Sequence, residues 1–162
     1  MKNTRLLLRA MCAFVLCCAM LTGAALAADP VQVYQINGTT ITFGGTPPTI
    51  MPRAGSEIFV DDIITTSSTY NITRACHPAN GNFLSFTIYN EGDTDIKIDL
   101  VLDVDGERVT DSKVLTPQSG HYYSSVDSNS SEGLDCQFDL TISPRNKGEE
   151  ITFDACVQQY NR

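Results

Sequence analysis

Ile96, Ile98, Leu100, Leu102 and Val104 stand at every second position of one stretch, with Lys97, Asp99, Val101, Asp103 and Asp105 alternating around them. Successive side chains of an extended strand point to opposite sides, so this stretch has one apolar and one wet face and belongs to a sheet covered on one side only. No stretch of ten or more residues carries a helical stripe to compete with it. The chain is therefore expected to be all-β, and its remaining segments are read with strand rules.

Residues 31–36 and 39–43 flank Asn37-Gly38, a pair that tolerates positive φ and suits a two-residue hairpin turn. Residues 44–56 hold Gly44-Gly45, Pro47-Pro48, Pro52 and Gly55 and read as a loop or irregular edge. A strand is expected over residues 57–64, followed by a Thr- and Ser-rich extended run. The turn cluster Cys76-His77-Pro78-Ala79-Asn80-Gly81-Asn82 leads into a strand over residues 83–89. Asp105-Gly106 turns the long alternating strand back on itself, and residues 121–126 form another short strand. A last hairpin is expected to pair Leu134, Cys136, Phe138, Leu140 and Ile142 with Ile151, Phe153, Ala155 and Val157 around residues 144–148. About eight to ten short strands at this spacing predict a single antiparallel sandwich. Its core should contain Phe86, Ile88, Leu100, Leu102, Phe138, Leu140, Ile151 and Phe153.

The N-terminus has the physical features of a secretory signal. Lys2 and Arg5 precede an apolar stretch over residues 10–21, and Ala25 and Ala27 supply the small residues of a cleavage site. Residues 1–27 are expected to be a cleaved signal peptide and residues 28–162 the β-sandwich domain. The product would be secreted or held in the cell envelope, outside the cytoplasmic membrane, with no membrane insertion of the mature chain. Losing Lys2, Arg5 and Arg9 leaves 8 basic against 19 acidic residues, a formal charge of −11. Such a chain is repelled by phosphate backbones and anionic lipid, which argues against a nucleic-acid partner.

Cys12, Cys17 and Cys18 depart with the leader, and Cys76, Cys136 and Cys156 remain. In an oxidising compartment an odd count implies one disulfide and one leftover thiol. Alternation puts Cys136 on the apolar face with Phe138 and Cys156 in phase with Thr152 and Asp154 on the other. Joining those two would need a bulge, so the phase leans to Cys76 with Cys136. Spacing alone leaves all three pairings open.

The stretch over residues 83–126 resembles bacterial immunoglobulin-like cell-surface domains. The likeness rests on Phe86-Thr87-Ile88-Tyr89-Asn90-Glu91-Gly92-Asp93, on Leu100-Val101-Leu102-Asp103-Val104-Asp105-Gly106 and on Val114-Leu115-Thr116-Pro117. It implies an immunoglobulin-like sandwich with roles in adhesion, spacing or recognition, and carries over no binding residue. Antibody-type marks are missing, since there is no Trp and Leu134 stands where a tyrosine corner has Tyr.

Catalytic chemistry finds little footing. His77 and His121 are the two histidines. His121 is near Ser119, Ser124 and Ser125 in sequence, but strand neighbours alternate faces and no Gly-x-Ser-x-Gly elbow is present. Cys76-His77 are adjacent residues, which rarely point at each other. A copper site of the kind small sandwiches hold would need a His or Met close after Cys156, and Val157-Gln158-Gln159-Tyr160 follows instead. No cofactor is expected, with calcium the one candidate ion. Asp93 and Asp95 crowd one turn and Asp103 and Asp105 the next, although hairpin chemistry and a solvated strand face account for the same residues. Asn37, Asn71 and Asn129 match the glycosylation acceptor pattern, which matters only in a host that glycosylates.

The leading expectation is a non-catalytic interaction module binding a protein or glycan at a cell surface. A calcium-dependent or glycan-binding module comes second, with aromatic contacts from whichever of Tyr122 and Tyr123 faces outward, and an exported hydrolase third. The binding surface is expected at an incompletely paired sheet edge around Thr69, Asn71 and Thr73.

Overall fold

The computed structural model describes residues 30–47, 56–118 and 120–162. The expected signal peptide and its cleavage site lie outside the described residues. Ten strands run in the order β1 Gln32–Ile36, β2 Thr39–Phe43, β3 Glu57–Thr66, β4 Tyr70–Ala75, β5 Phe83–Asn90, β6 Ile96–Val104, β7 Glu107–Leu115, β8 His121–Ser128, β9 Gln137–Pro144 and β10 Ile151–Tyr160. They form two antiparallel sheets, one of order β1-β2-β8-β5-β10-β3 and one of order β4-β9-β6-β7.

The logic of this order is a long ribbon folded on itself. β6 turns into β7 at Asp105-Gly106, where φ values of 54° and 81° match a tight two-residue turn. From that hairpin the pairing propagates outward: β5 pairs β8, β4 pairs β9 and β3 pairs β10. Wrapping the ribbon then adds the contacts β5 to β10 and β6 to β9. Eight strands paired in this way make a jelly roll, with β1 and β2 added as a hairpin beside β8. The expected all-β, two-sheet antiparallel sandwich is present. Its strand order is that of the jelly roll rather than the ABED and CFG sheets of an immunoglobulin domain.

The inner faces meet in one core. Phe86, Ile88, Leu100, Leu102, Phe138, Leu140, Ile151 and Phe153 are all buried, as their phase predicts. Edge-to-face ring contacts of Phe138 with Phe59 and Phe86 tie the two sheets together. A bulge in β3 makes the first contact possible. The register passes from Val60 opposite Val157 to Ile58 opposite Gln158, leaving Phe59 as the extra residue.

Two sequence expectations are corrected here. The last apolar segments do not form a hairpin with each other: β9 lies between β4 and β6, and β10 between β5 and β3. Both have an apolar face, and these faces bury each other across the sandwich rather than side by side. The Thr-rich run is also divided. Thr65 and Thr66 end β3, a bend follows at Ser67 and Ser68, and β4 begins at Tyr70 on the other sheet. That corner places β3 and β4 each at an edge.

Candidate functional site

Each of the four outer strands, β1, β3, β4 and β7, has a neighbour on one side only among the described residues. The edges differ in how they are guarded. β3 has the bulge at Phe59 and the acids Glu57, Asp61 and Asp62. β7 carries Glu107, Arg108, Asp111 and Lys113. Charges and bulges of this kind keep foreign strands away. β4 carries Arg74 alone, and β1 has no charge, no proline and an unbroken register against β2.

Hydrogen-bond phase decides which amides an edge offers. The Cys76 N–H donates to the Cys136 carbonyl at 2.8 Å, so this pair, one step beyond Ala75 opposite Gln137, is a bonded pair. Bonded and unbonded pairs alternate along an antiparallel ladder. Tyr70, Ile72 and Arg74 therefore bond to β9, while the main-chain groups of Asn71, Thr73 and Ala75 point away from it. The expected edge residues Asn71 and Thr73 thus sit in the outward phase of an edge strand. Thr69 precedes the strand, in the corner. Asn71 is also anchored, its Oδ1 accepting from the Thr141 hydroxyl at 2.9 Å.

The same pair of residues settles where the cysteines stand. Cys76 and Cys136 are both buried, both face the core and are both free thiols in the structure. The neighbouring Cys136 thiol first, then burial, then the negative charges of Glu57 and Asp135 push the Cys76 thiol well above its ordinary range. Cys156 sits on β10 in the phase opposite to the core residues Ala155 and Val157, half-buried. Burial first, then Asp61 and Asp154, raise its thiol as well. Because Cys136 and Cys156 lie on different sheets and Cys156 points outward, the β9 to β10 pairing left open by spacing has no basis in the fold.

The acidic candidates divide between two turns at opposite ends of β6. Nine residues of strand put those turns roughly 26 Å apart. Asp95 accepts a bond from Arg145 at 2.8 Å. Asp103 holds the Gly106 N–H at 3.1 Å and lies 3.7 Å from Arg108. Asp105 accepts from Asn37 at 3.3 Å. Asp103 and Asp105 also line, with Asp135, Cys136 and Gln137, an open notch of about 250 Å³. Among the described residues no three His, Cys, Asp or Glu side chains are grouped to hold a metal ion.

The aromatic expectation fails at the named residues. Tyr122 and Tyr123 are both buried, so neither offers a ring to a glycan. Tyr34 and Tyr89 are exposed and Tyr70 is half-buried, with Tyr89 packed against the His121 ring at 5.7 Å. His121 Nε2 lies 3.3 Å from the Gly45 carbonyl.

One buried polar group escaped the sequence reading. Gln159 is fully buried, and its Nε2 donates to the carbonyls of His77, Gly81 and Leu134 at 2.8, 2.9 and 3.2 Å, while its Oε1 accepts from the His77 N–H. It staples the loop before β5 and the loop before β9 to β10. Its place in phase with Val157 was the available signal, since that phase puts a polar side chain on the apolar face. Close packing completes the staple: a Cβ on Gly81, at φ +129°, would lie 2.1 Å from the Tyr160 backbone.

No family model and no curated protein matches the chain. Among solved structures, the cumin domain of Drosophila melanogaster CENP-C aligns over 70% of this chain and 72% of that one, at 12% identity and a TM-score of 0.20. A superposition this loose assigns neither a family nor a function.

Proposed function

We propose that this chain is an exported, non-catalytic interaction module that binds a protein partner at a cell surface through a sheet edge. The supporting observation is that β4 ends the four-stranded sheet with the main-chain groups of Asn71, Thr73 and Ala75 directed away from β9 and only Arg74 to guard them. An extended partner segment pairing there would gain affinity from main-chain bonds, which need no side-chain signature.

The export half of the proposal gives the thiols a fate. In an oxidising compartment Cys76 and Cys136 form the disulfide, losing two electrons and two protons to a disulfide-bearing oxidase that is reduced to its dithiol. Cys156 remains a thiol.

Labelled chain titrated onto intact cells tests the module. Saturable binding that disappears in Thr73→Pro, at an unchanged melting temperature, is the expected result; absence of saturable binding overturns it. Proline at Thr73 removes only an outward amide, whereas at Thr69 it would perturb the corner.

A further inference from the structure

We propose that two copies of this chain associate through antiparallel pairing of their β1 strands, about a two-fold axis centred on Val33, joining two six-stranded sheets into one continuous sheet. The proposal rests on the reading of the domain as an edge-binding module and names the occupant of its other open edge.

The first support is charge. Residues 30–47 contain no Asp, Glu, Lys or Arg, although about three would be expected in that length of a chain that is 19% charged. Two copies of so acidic a chain repel each other wherever carboxylates meet. The β1–β2 hairpin is a described surface without charge of either sign. Edge β3 carries acids alone, β4 carries Arg74, β7 carries charges of both signs, and β1 is the edge among the four that carries none.

The second support is exposure on both faces of the strand. Val31 is 53% exposed, Val33 57% and Tyr34 39%, because β1 is the last strand of the longer sheet. An apolar, unbulged edge of this kind is what natural sheets normally blunt.

Phase supplies the third. Asn37-Gly38 makes a two-residue turn, so its flanking residues Ile36 and Thr39 form a bonded pair. Tyr34 and Gln32 then also bond to β2, and the main-chain groups of Val31, Val33 and Gln35 point outward. A two-fold axis at Val33 sets Val33 against its own copy and Val31 against Gln35, which exchanges about six main-chain bonds. On one face Val33 covers Val33. On the other, Gln32 and Tyr34, already bonded at 3.0 Å within the strand, meet their counterparts.

Sedimentation of the purified chain over a concentration series, with amide hydrogen exchange, tests the proposal. A dimer that grows with concentration is expected. The amides of Val31, Val33 and Gln35 should gain protection with it, whereas those of Gln32, Tyr34 and Ile36 stay protected throughout. Val33→Pro removes an outward N–H and should weaken the dimer at least about tenfold without lowering the melting temperature. Val33→Lys keeps every main-chain bond and places two charges face to face; its dimer should be weakened and partly restored by salt, so the proposal stays testable if the proline variant does not fold. Three outcomes overturn it: a monomer at every concentration, a dimer indifferent to both variants, or outward amides protected at all dilutions, which would mean that the chain itself covers the edge. Thr73→Pro should leave the dimer intact. Loss of self-association with Thr73-sensitive cell binding retained would remove the dimer and leave the interaction module standing.

Discussion

Cys76 and Cys136 face each other across the open end of the β4–β9 pair, the N–H of one bonded to the carbonyl of the other at 2.8 Å and both side chains turned into the core. Directly opposed antiparallel residues have Cα atoms about 4.5–5.5 Å apart, inside the range a disulfide spans. Alkylation of the unreduced, denatured chain should therefore modify Cys156 and leave Cys76 and Cys136 unmodified. Three modified residues in the described domain would show that no bridge forms. Reduction should destabilise the fold by about 2–4 kcal/mol, as expected for a cross-link that closes a long loop.

Gln159 offers a sharper test of what holds the two loops at that end. Leucine at this position has similar bulk and no polar atoms, so it would leave the carbonyls of His77 and Leu134 and the N–H of His77 without their partner. Unmet buried polar groups carry desolvation costs of about 1–3 kcal/mol each. Gln159→Leu should lower stability by at least about 2 kcal/mol in chemical denaturation. An unchanged midpoint would mean that these loops are satisfied by other groups.

Tyr122 predicts behaviour at alkaline pH. Its hydroxyl is buried and has no hydrogen-bond partner among the described residues, while burial first and the Asp111 charge second push its ionisation well above the ordinary value of 10.0. Tyr123 and Tyr160 shift in the same direction, again chiefly through burial. In the unfolded chain these phenols ionise near pH 10, whereas the folded chain keeps their protons to higher pH. Stability is full below pH 10 and falls as pH rises beyond it, because there the unfolded state has lost protons that the native state retains. Denaturation curves between pH 8 and pH 11 should show this loss, and Tyr122→Phe should make it shallower. At pH 7 the same substitution removes an unpaired hydroxyl, and should be neutral or stabilising by up to about 1 kcal/mol.

Some parts of the candidate surface were legible before the fold was known. The uncharged run through β1 can be read along the chain, since it depends only on residue order, whereas the outward phase of Asn71 and Thr73 is set by the Cys76 to Cys136 bond to β9. Exposure could not be read. Tyr122 and Tyr123 look equally available in sequence and are both buried, one facing the core and the other on the opposite side of the sheet, on the face of Tyr160. Gln159 reads as a polar side chain open to water until the loops of His77 and Leu134 close over it.

Local backbone sterics fixed the strands and the turns at Asn37-Gly38 and Asp105-Gly106, together with the core face of β6, because period-two alternation and positive φ involve only neighbours a few residues apart. Sheet membership is a different matter. β9 and β10 have the same alternation and could have paired as a hairpin, yet each is drawn into a different sheet by β4, β6, β3 and β5. What decided between them was the burial of both apolar faces against each other, a free energy shared by residues far apart in the chain. That choice set which strands became edges, and with them the surfaces left open to a partner.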